Sequence, residues 1–288
     1  MRVLVALIVV TAVWGLTFVQ VKDAVAIYPV LAFLALRFGI ATVTLAIPGA
    51  RRIRGLGRNG LGAASFAGAL LAAGYVLQTF GLERTSVSSA GFVTGMYVVL
   101  TPLIALALFR IRIGAAAWIG VLLASAGLAM LAGIHSGGGG DLLVLGGAAV
   151  YSLQIVLMER YAPLYDAIGF TLVELLAAFV VLAVFAAPQL SVPHGWTVWG
   201  ALLVTGIFAS ALGFVVQTWA QKTTSATRTA LLFALEPVWA ALFGYTIAGD
   251  RLGVAGWGGC AVIMAGIVLA EPAAGQALVG IVRRPRAA

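Results

Sequence analysis

Charge is what this sequence has least of. Charged residues make up 9% of its 288 residues, against roughly a quarter in an ordinary soluble domain. Hydrophobic residues make up 62%, and mean hydropathy is +1.11. A chain this apolar cannot cover a surface that faces water, which points to an integral membrane protein. Cysteine is almost absent: Cys260 stands alone in an apolar run, so no disulfide framework exists and cysteine usage does not report the compartment. The two histidines, His135 and His194, fall between apolar runs. No Cys/His metal spacing, Walker loop or buried Ser/His dyad is present, which argues against an intramembrane hydrolase and against a pump with its own ATPase. No prosthetic group or metal is expected.

What is there is a succession of apolar runs. A helix needs about 20 apolar residues to cross the hydrocarbon core. Runs of about that length follow one another from end to end, with no room for a separate soluble domain. The approximate spans are 3–21, 29–48, 61–82, 88–109, 113–134, 141–158, 167–187, 196–219, 226–247 and 253–271. Barrel strands would alternate apolar and polar over about 10 residues; these runs do not. The expectation is an all-α membrane protein of ten transmembrane helices. The first run is long for a signal peptide and lacks an A-x-A cleavage site, so it reads as a retained helix.

Lys and Arg set the orientation. One side of the membrane collects Arg2, Arg51, Arg52, Arg54, Arg58, Arg110, Arg112, Arg160, Lys222, Arg228, Arg283, Arg284 and Arg286; the other holds Lys22, Arg84 and Arg251. This bias places both termini in the cytoplasm. It also accounts for the formal net charge of +8, so the basic residues read as topology determinants facing anionic lipid, with no nucleic-acid partner. The Gly-rich stretch His135 to Asp141 divides the chain. Residues 1–134 form a first five-helix repeat, 135–140 a linker, and 141–288 a second repeat with a short basic tail.

The halves resemble each other at a fixed offset. QTFGLERTS from Gln78 and QTWAQKTTS from Gln217 are 139 residues apart, as are Trp118 and Trp257, and Gly127 and Gly266. Pro102 and Pro237 correspond at 135, so a shift inside the fourth-span region compensates. Five spans per half is an odd number, so the second copy inserts upside down. Inverted repeats recur in secondary transporters, with the substrate site near the midplane where the repeats meet.

Several short motifs fit this plan. They are Trp14-Gly15 in the first span, Arg37-Phe38 in the second, Thr85 to Ala90 opening the fourth, Glu236-Pro237 in the ninth and Gly249 to Leu252 after it. In combination they resemble the drug/metabolite transporter superfamily, specifically its EamA-type ten-helix members, and the whole is close to the YddG-type amino-acid exporters. The resemblance implies a secondary transporter of the bacterial inner membrane that exports small metabolites, amino acids first among them, by alternating access. Exporters of cationic drugs or other metabolites fit the same pattern. From a different class, a non-transporting scaffold or receptor would have no midplane cavity.

Ionisable side chains at a helix centre cost about 2.5–3.5 kcal/mol on insertion scales. Three stand out: Arg37, Glu174 and Glu236. Pro102 and Pro237 interrupt repeat-related helices and are the expected hinges. Glu236 either lines the cavity, to receive an amino group or carry a proton, or satisfies backbone freed by the kink or a neighbouring hydroxyl and stays neutral by desolvation. Arg37 and Glu174 lie at comparable depth in the second and seventh spans and either pair across the repeat interface or stand independently, snorkelling or bonding to backbone. Spacing of three residues puts Tyr75 with Gln78, Thr94 with Tyr97, and Tyr151 with Gln154 on shared helical faces. With Trp14, Thr17, Gln217, Trp219 and Trp239, these suit the walls of a site for a small amphipathic solute. Trp196 and Trp199 read as interfacial anchors. Gly91/Gly95 and Gly206/Ser210 read as close helix contacts. The Gly/Ala-rich fifth and tenth spans read as scaffold or dimer contacts, so the chain is expected as a monomer or a homodimer.

Overall fold

The computed structural model describes residues 2–85, 87–132, 138–248, 251 and 253–270. His135, residues 135–137 of the linker, Ser86, Gly249, Asp250, Leu252 and the basic tail after residue 270 lie outside the described residues. Every regular element among the described residues is helical. In chain order these are α1 (Arg2–Val25), α2 (Val30–Gly49), α3 (Gly57–Glu83), α4 (Val87–Gly95), α5 (Tyr97–Phe109), α6 (Ala115–Ala132), α7 (Gly139–Tyr161), α8 (Ala167–Ala186), α9 (Trp196–Leu203), α10 (Gly213–Ala220), α11 (Ala226–Phe233), α12 (Leu235–Phe243) and α13 (Val254–Ala270). A π-helical segment, Val204–Leu212, joins α9 to α10.

Eight helical columns are long and apolar enough to cross a membrane, and Ala115–Leu131 and Val254–Ala270 are shorter apolar helices. The outer face agrees with a lipid solvent. Ile47 is 93% exposed and Val254 91%, and Val43, Leu122 and Val184 are also exposed, more apolar surface than a water-soluble monomer carries.

Local sequence explains the ends. Pro29 precedes α2, where its missing N–H costs nothing. Asp166 caps α8 through the N–H groups of Ile168 and Gly169, at 3.1 and 3.0 Å. Ser225 caps α11 through the Arg228 N–H.

Two columns are broken. α4 and α5 meet at Met96, and α11 and α12 meet at Ala234. Pro237 stands just past its break; Pro102 lies a turn and a half past its own, inside α5. The fourth-span bend therefore falls at Met96 and not at the expected hinge Pro102. Proline disturbs the carbonyl four residues earlier, and α5 begins at Tyr97, ahead of that carbonyl on Val98.

Glycine sets the closest packing. A Cβ on Gly120 would lie 2.8 Å from the Gly266 carbonyl oxygen, and one on Gly127 2.6 Å from that of Gly259. α6 and α13 thus touch backbone to backbone, with contacts running in opposite senses along the two helices. These two helices, expected as scaffold or dimer contacts, pair with each other within the chain. Gly206 sits against Ile40 and the Arg37 carbonyl, as its small-residue pattern predicts, and Gly95 sits against Leu128; Gly91 meets no neighbour within 4 Å.

Candidate functional site

The helices line a partly open cavity whose wall is mainly apolar and aromatic with a few polar groups, the composition usual for small-molecule sites. Both halves contribute to it. Trp14 and Thr17 come from α1, Arg37 from α2, Tyr75 and Gln78 from α3, and Thr94 and Tyr97 from α4 and α5. Tyr151 and Gln154 come from α7, Phe214 and Gln217 from α10, Phe233 from α11 and Glu236 from α12.

An aromatic wall runs along it. The Tyr75 and Phe214 ring centroids are 6.3 Å apart, Phe214 and Trp14 5.8 Å, Trp14 and Phe233 4.8 Å, and Phe233 and Tyr97 6.2 Å. Glycine makes room for these rings. A Cβ on Gly74 would lie 2.5 Å from the Tyr151 ring, and one on Gly213 3.0 Å from the Trp14 indole nitrogen.

Several polar groups on the wall are fixed by specific partners. The Tyr151 hydroxyl donates to Gln78 Oε1 at 3.0 Å, and Gln78 Nε2 donates to Thr94 Oγ1 at 2.9 Å. The Trp14 indole N–H donates to the Ala209 carbonyl at 2.8 Å. Ala209 lies in the π segment, whose wider turn displaces the regular backbone pattern. The same segment offers Ser210 Oγ to Arg37 Nε at 2.9 Å.

Arg37 and Glu174 do not pair. Arg37 Nη2 donates to the Tyr75 hydroxyl at 3.1 Å, and its guanidinium carbon stands 4.4 Å from the Tyr75 ring centroid. Glu174 is fully buried and accepts from Gln154 Nε2 at 2.8 Å. Gln217 Nε2 in turn donates to Gln154 Oε1 at 2.9 Å. Glu174 therefore sits behind the wall, joined to it through two glutamines. Equal depth did not imply facing sides: rotation about each helix axis turns the two side chains to different neighbours.

Glu236 faces both the cavity and a neighbouring hydroxyl, its Oε2 lying 3.1 Å from that of Tyr97. The same hydroxyl donates to the Phe233 carbonyl at 2.7 Å. Phe233 is four residues before Pro237, so its carbonyl is the one the proline deprives of an N–H.

Two nominated residues stand apart from the cavity lining. The Trp239 ring stacks on Phe243 at 6.1 Å with its Cβ against Gly15, and Trp219 is 40% exposed. Pro102 and Pro237 also lie outside the lining. Trp196 is largely exposed, and Trp199 donates to the Pro193 carbonyl at 3.0 Å. Phe214 and Phe233 line the cavity without having been singled out. Phe233 stands three residues before Glu236, and that helical spacing is the signal that marks it.

Comparison with known proteins agrees with this architecture. The model of the EamA-like transporter family matches the chain twice, over residues 1–133 and 138–270. An uncharacterized transporter of Archaeoglobus fulgidus is 30% identical over 264 residues, covering 91% of this chain and 83% of that protein. The uncharacterized transporter YyaM of Bacillus subtilis is 25% identical over 223 residues, covering 72% and 68%. A crystal structure superposes with a TM-score of 0.76 over 96% of this chain and 97% of its own; at 20% identity the likeness concerns the fold alone. The chain belongs to the EamA-like transporter family, and is a membrane transporter rather than an enzyme.

Proposed function

We propose that this protein is a secondary transporter that exports small metabolites, amino acids first among them, across the bacterial inner membrane. It works by alternating access between two inverted five-helix halves, both termini cytoplasmic. The cavity carries this reading: it lies where the two halves meet and is walled by Trp14, Tyr75, Tyr97, Phe214 and Phe233, with a few convergent polar groups. Such a lining suits a small solute with an apolar body and polar ends.

Several observations support the inverted plan. The family model matches twice. Gly120 packs on Gly266 and Gly127 on Gly259, and adding the offset of 139 to either member of the first-half pair gives the partner of the other. Two breaks, at Met96 and Ala234, interrupt corresponding columns. A second reading, export of cationic drugs, draws on Glu236 in an aromatic-lined cavity.

Uptake of a panel of labelled amino acids and of an aromatic cation into proteoliposomes, with and without a pH gradient, tests the assignment. Saturable amino-acid uptake is the expected result. Uptake of the cation alone moves the cargo to cationic drugs. Gradient-dependent uptake that disappears in Glu236→Gln makes that carboxylate the proton carrier; uptake insensitive to both is facilitated diffusion.

A further inference from the structure

Arg37 is a buried cation with no carboxylate within 4.0 Å among the described residues. It is 3% exposed. Among the described residues the one ion pair within 4.0 Å joins Arg52 to Asp166, elsewhere in the fold. Its two hydrogen bonds go to neutral hydroxyls, Ser210 through Nε and Tyr75 through Nη2. A guanidinium has five N–H donors in a planar fork. Nη1 makes no hydrogen bond to a described residue, and Arg37 lines the cavity. The Tyr75 ring and the Ser210 hydroxyl hold the plane of the group.

Burying a charge without a partner is expensive, and an unpaired ionisable group inside a membrane marks a functional site by default. What the free edge of a fixed guanidinium matches is a carboxylate, bound through two parallel hydrogen bonds. Tyr75, which orients Arg37, begins the aromatic wall that runs through Phe214, Trp14 and Phe233 to Tyr97. Glu236 lines the same cavity, near enough for its charge and that of Arg37 to interact, and its Oε1 makes no hydrogen bond to a described residue. A simple cation would meet Arg37 in this cavity, and a simple anion would meet Glu236. A zwitterion with an apolar body meets complementary groups at both.

We propose that Arg37 is the carboxylate receptor of the transport site and that Glu236 takes the ammonium end, so that the cavity selects zwitterions carrying an apolar side chain. This rests on the amino-acid reading above and adds to it the residue that rejects decarboxylated analogues.

Binding of three probes with one body tests it: L-phenylalanine, 2-phenylethylamine, which lacks the carboxylate, and 3-phenylpropionate, which lacks the amine. Each is titrated calorimetrically against the full-length protein in lipid nanodiscs. Wild type should bind L-phenylalanine at least about tenfold more tightly than either analogue, since a hydrogen-bonded charge is at stake at each end. Arg37→Gln should lower L-phenylalanine affinity to about that of 2-phenylethylamine while leaving 2-phenylethylamine as strong or stronger. Arg37→Lys, which keeps the charge and loses the fork, should fall between. The wild-type comparison alone decides if the variants do not fold. Equal binding of L-phenylalanine and 2-phenylethylamine by wild type overturns the role of Arg37 and leaves the transporter reading standing. An equal loss for all three probes in Arg37→Gln overturns it too, making the residue a scaffold element. Binding of none of the three overturns both the inference and the amino-acid cargo.

Discussion

Tyr97 and Glu236 are 139 residues apart in the chain and 3.1 Å apart in space. The contact joins the fourth column to the ninth, close to the break in each. It also joins the cavity to the break in the ninth column, because the same hydroxyl holds the Phe233 carbonyl left by Pro237.

That arrangement makes Tyr97→Phe informative. Removing the hydroxyl strands a buried carbonyl and should cost about 1–3 kcal/mol. Pro237→Ala supplies an N–H four residues beyond Phe233, which should satisfy the same carbonyl. The penalty of Tyr97→Phe should then shrink by at least about 0.5 kcal/mol in a Pro237→Ala background, the scale of coupling expected for groups sharing a partner. Unfolding midpoints of the four proteins in detergent close the cycle. A penalty of equal size in both backgrounds would show that Tyr97 does not serve that carbonyl.

Glycine substitutions separate packing from propensity. A Cβ on Gly127 would lie 2.6 Å from the Gly259 carbonyl oxygen, and one on Gly259 2.5 Å from that of Gly127. Gly127→Ala should destabilise by about 1–3 kcal/mol, as overpacking does. Gly62, in α3, has nothing within 4 Å of its Cβ position. Gly62→Ala should be neutral or stabilise by up to about 1 kcal/mol through helix propensity. Thermal unfolding of both variants checks the contrast; similar losses at the two positions would mean that α6 and α13 are not pressed together here.

The helical columns were legible because lipid demands apolar runs of about 20 residues, a signal stronger than any propensity. The shared faces of Tyr75 with Gln78, Thr94 with Tyr97 and Tyr151 with Gln154 were legible from helical spacing, and these side chains meet in one cavity. The partner of Arg37 was not. Depth in the membrane can be counted along the chain, but rotation about a helix axis cannot. The π segment Val204–Leu212, which presents Ser210, inserts a wider turn that no motif announces. Phe214 and Phe233 were lost among phenylalanines that face outward, such as Phe66 and Phe185. Apolar composition is the same toward lipid and toward an apolar solute, so a membrane protein hides its aromatic wall better than a soluble one does.

At a loop end, Asp166 ties the start of α8 to Arg52 at 3.1 Å, with both side chains nearly half exposed. Burial pushes the Asp166 carboxyl up, but the Gly169 N–H, the Arg52 guanidinium and the Ile168 N–H together outweigh it and hold the group below its usual 3.8. A depressed carboxyl stabilises the fold above its unfolded-state value and loses that contribution as pH falls through the folded one. Asp166→Asn keeps an oxygen for the cap and removes the charge. Its small loss in Tm should be present at pH 7, fade below about pH 4, and shrink in high salt. A loss that is constant from pH 7 to pH 3 would assign the effect to the cap alone.

The two ends of α7 offer a test of alternating access. At one end Asp141 accepts hydrogen bonds from Thr85 Oγ1 at 2.8 Å and Ser89 Oγ at 2.7 Å, beside the start of α4. At the other, Glu159 Oε2 accepts from the Ala226 N–H at 2.9 Å, at the start of α11. One helix thus fastens the beginnings of both broken columns, on opposite faces of the bundle. If the halves rock about the cavity, each fastening resists opening on its own side. A charge-assisted hydrogen bond of about 1.5–3 kcal/mol is enough to move a two-state population about tenfold or more. A reporter cysteine at Leu71, a cavity-lining position, in a Cys260→Ser background makes this measurable with a membrane-impermeant thiol reagent. Asp141→Ala should raise labelling from the face bearing the α3–α4 turn, and Glu159→Ala from the face bearing the α10–α11 turn. Enhanced labelling from one and the same face in both variants would rule out reciprocal latches and leave α7 a passive strut.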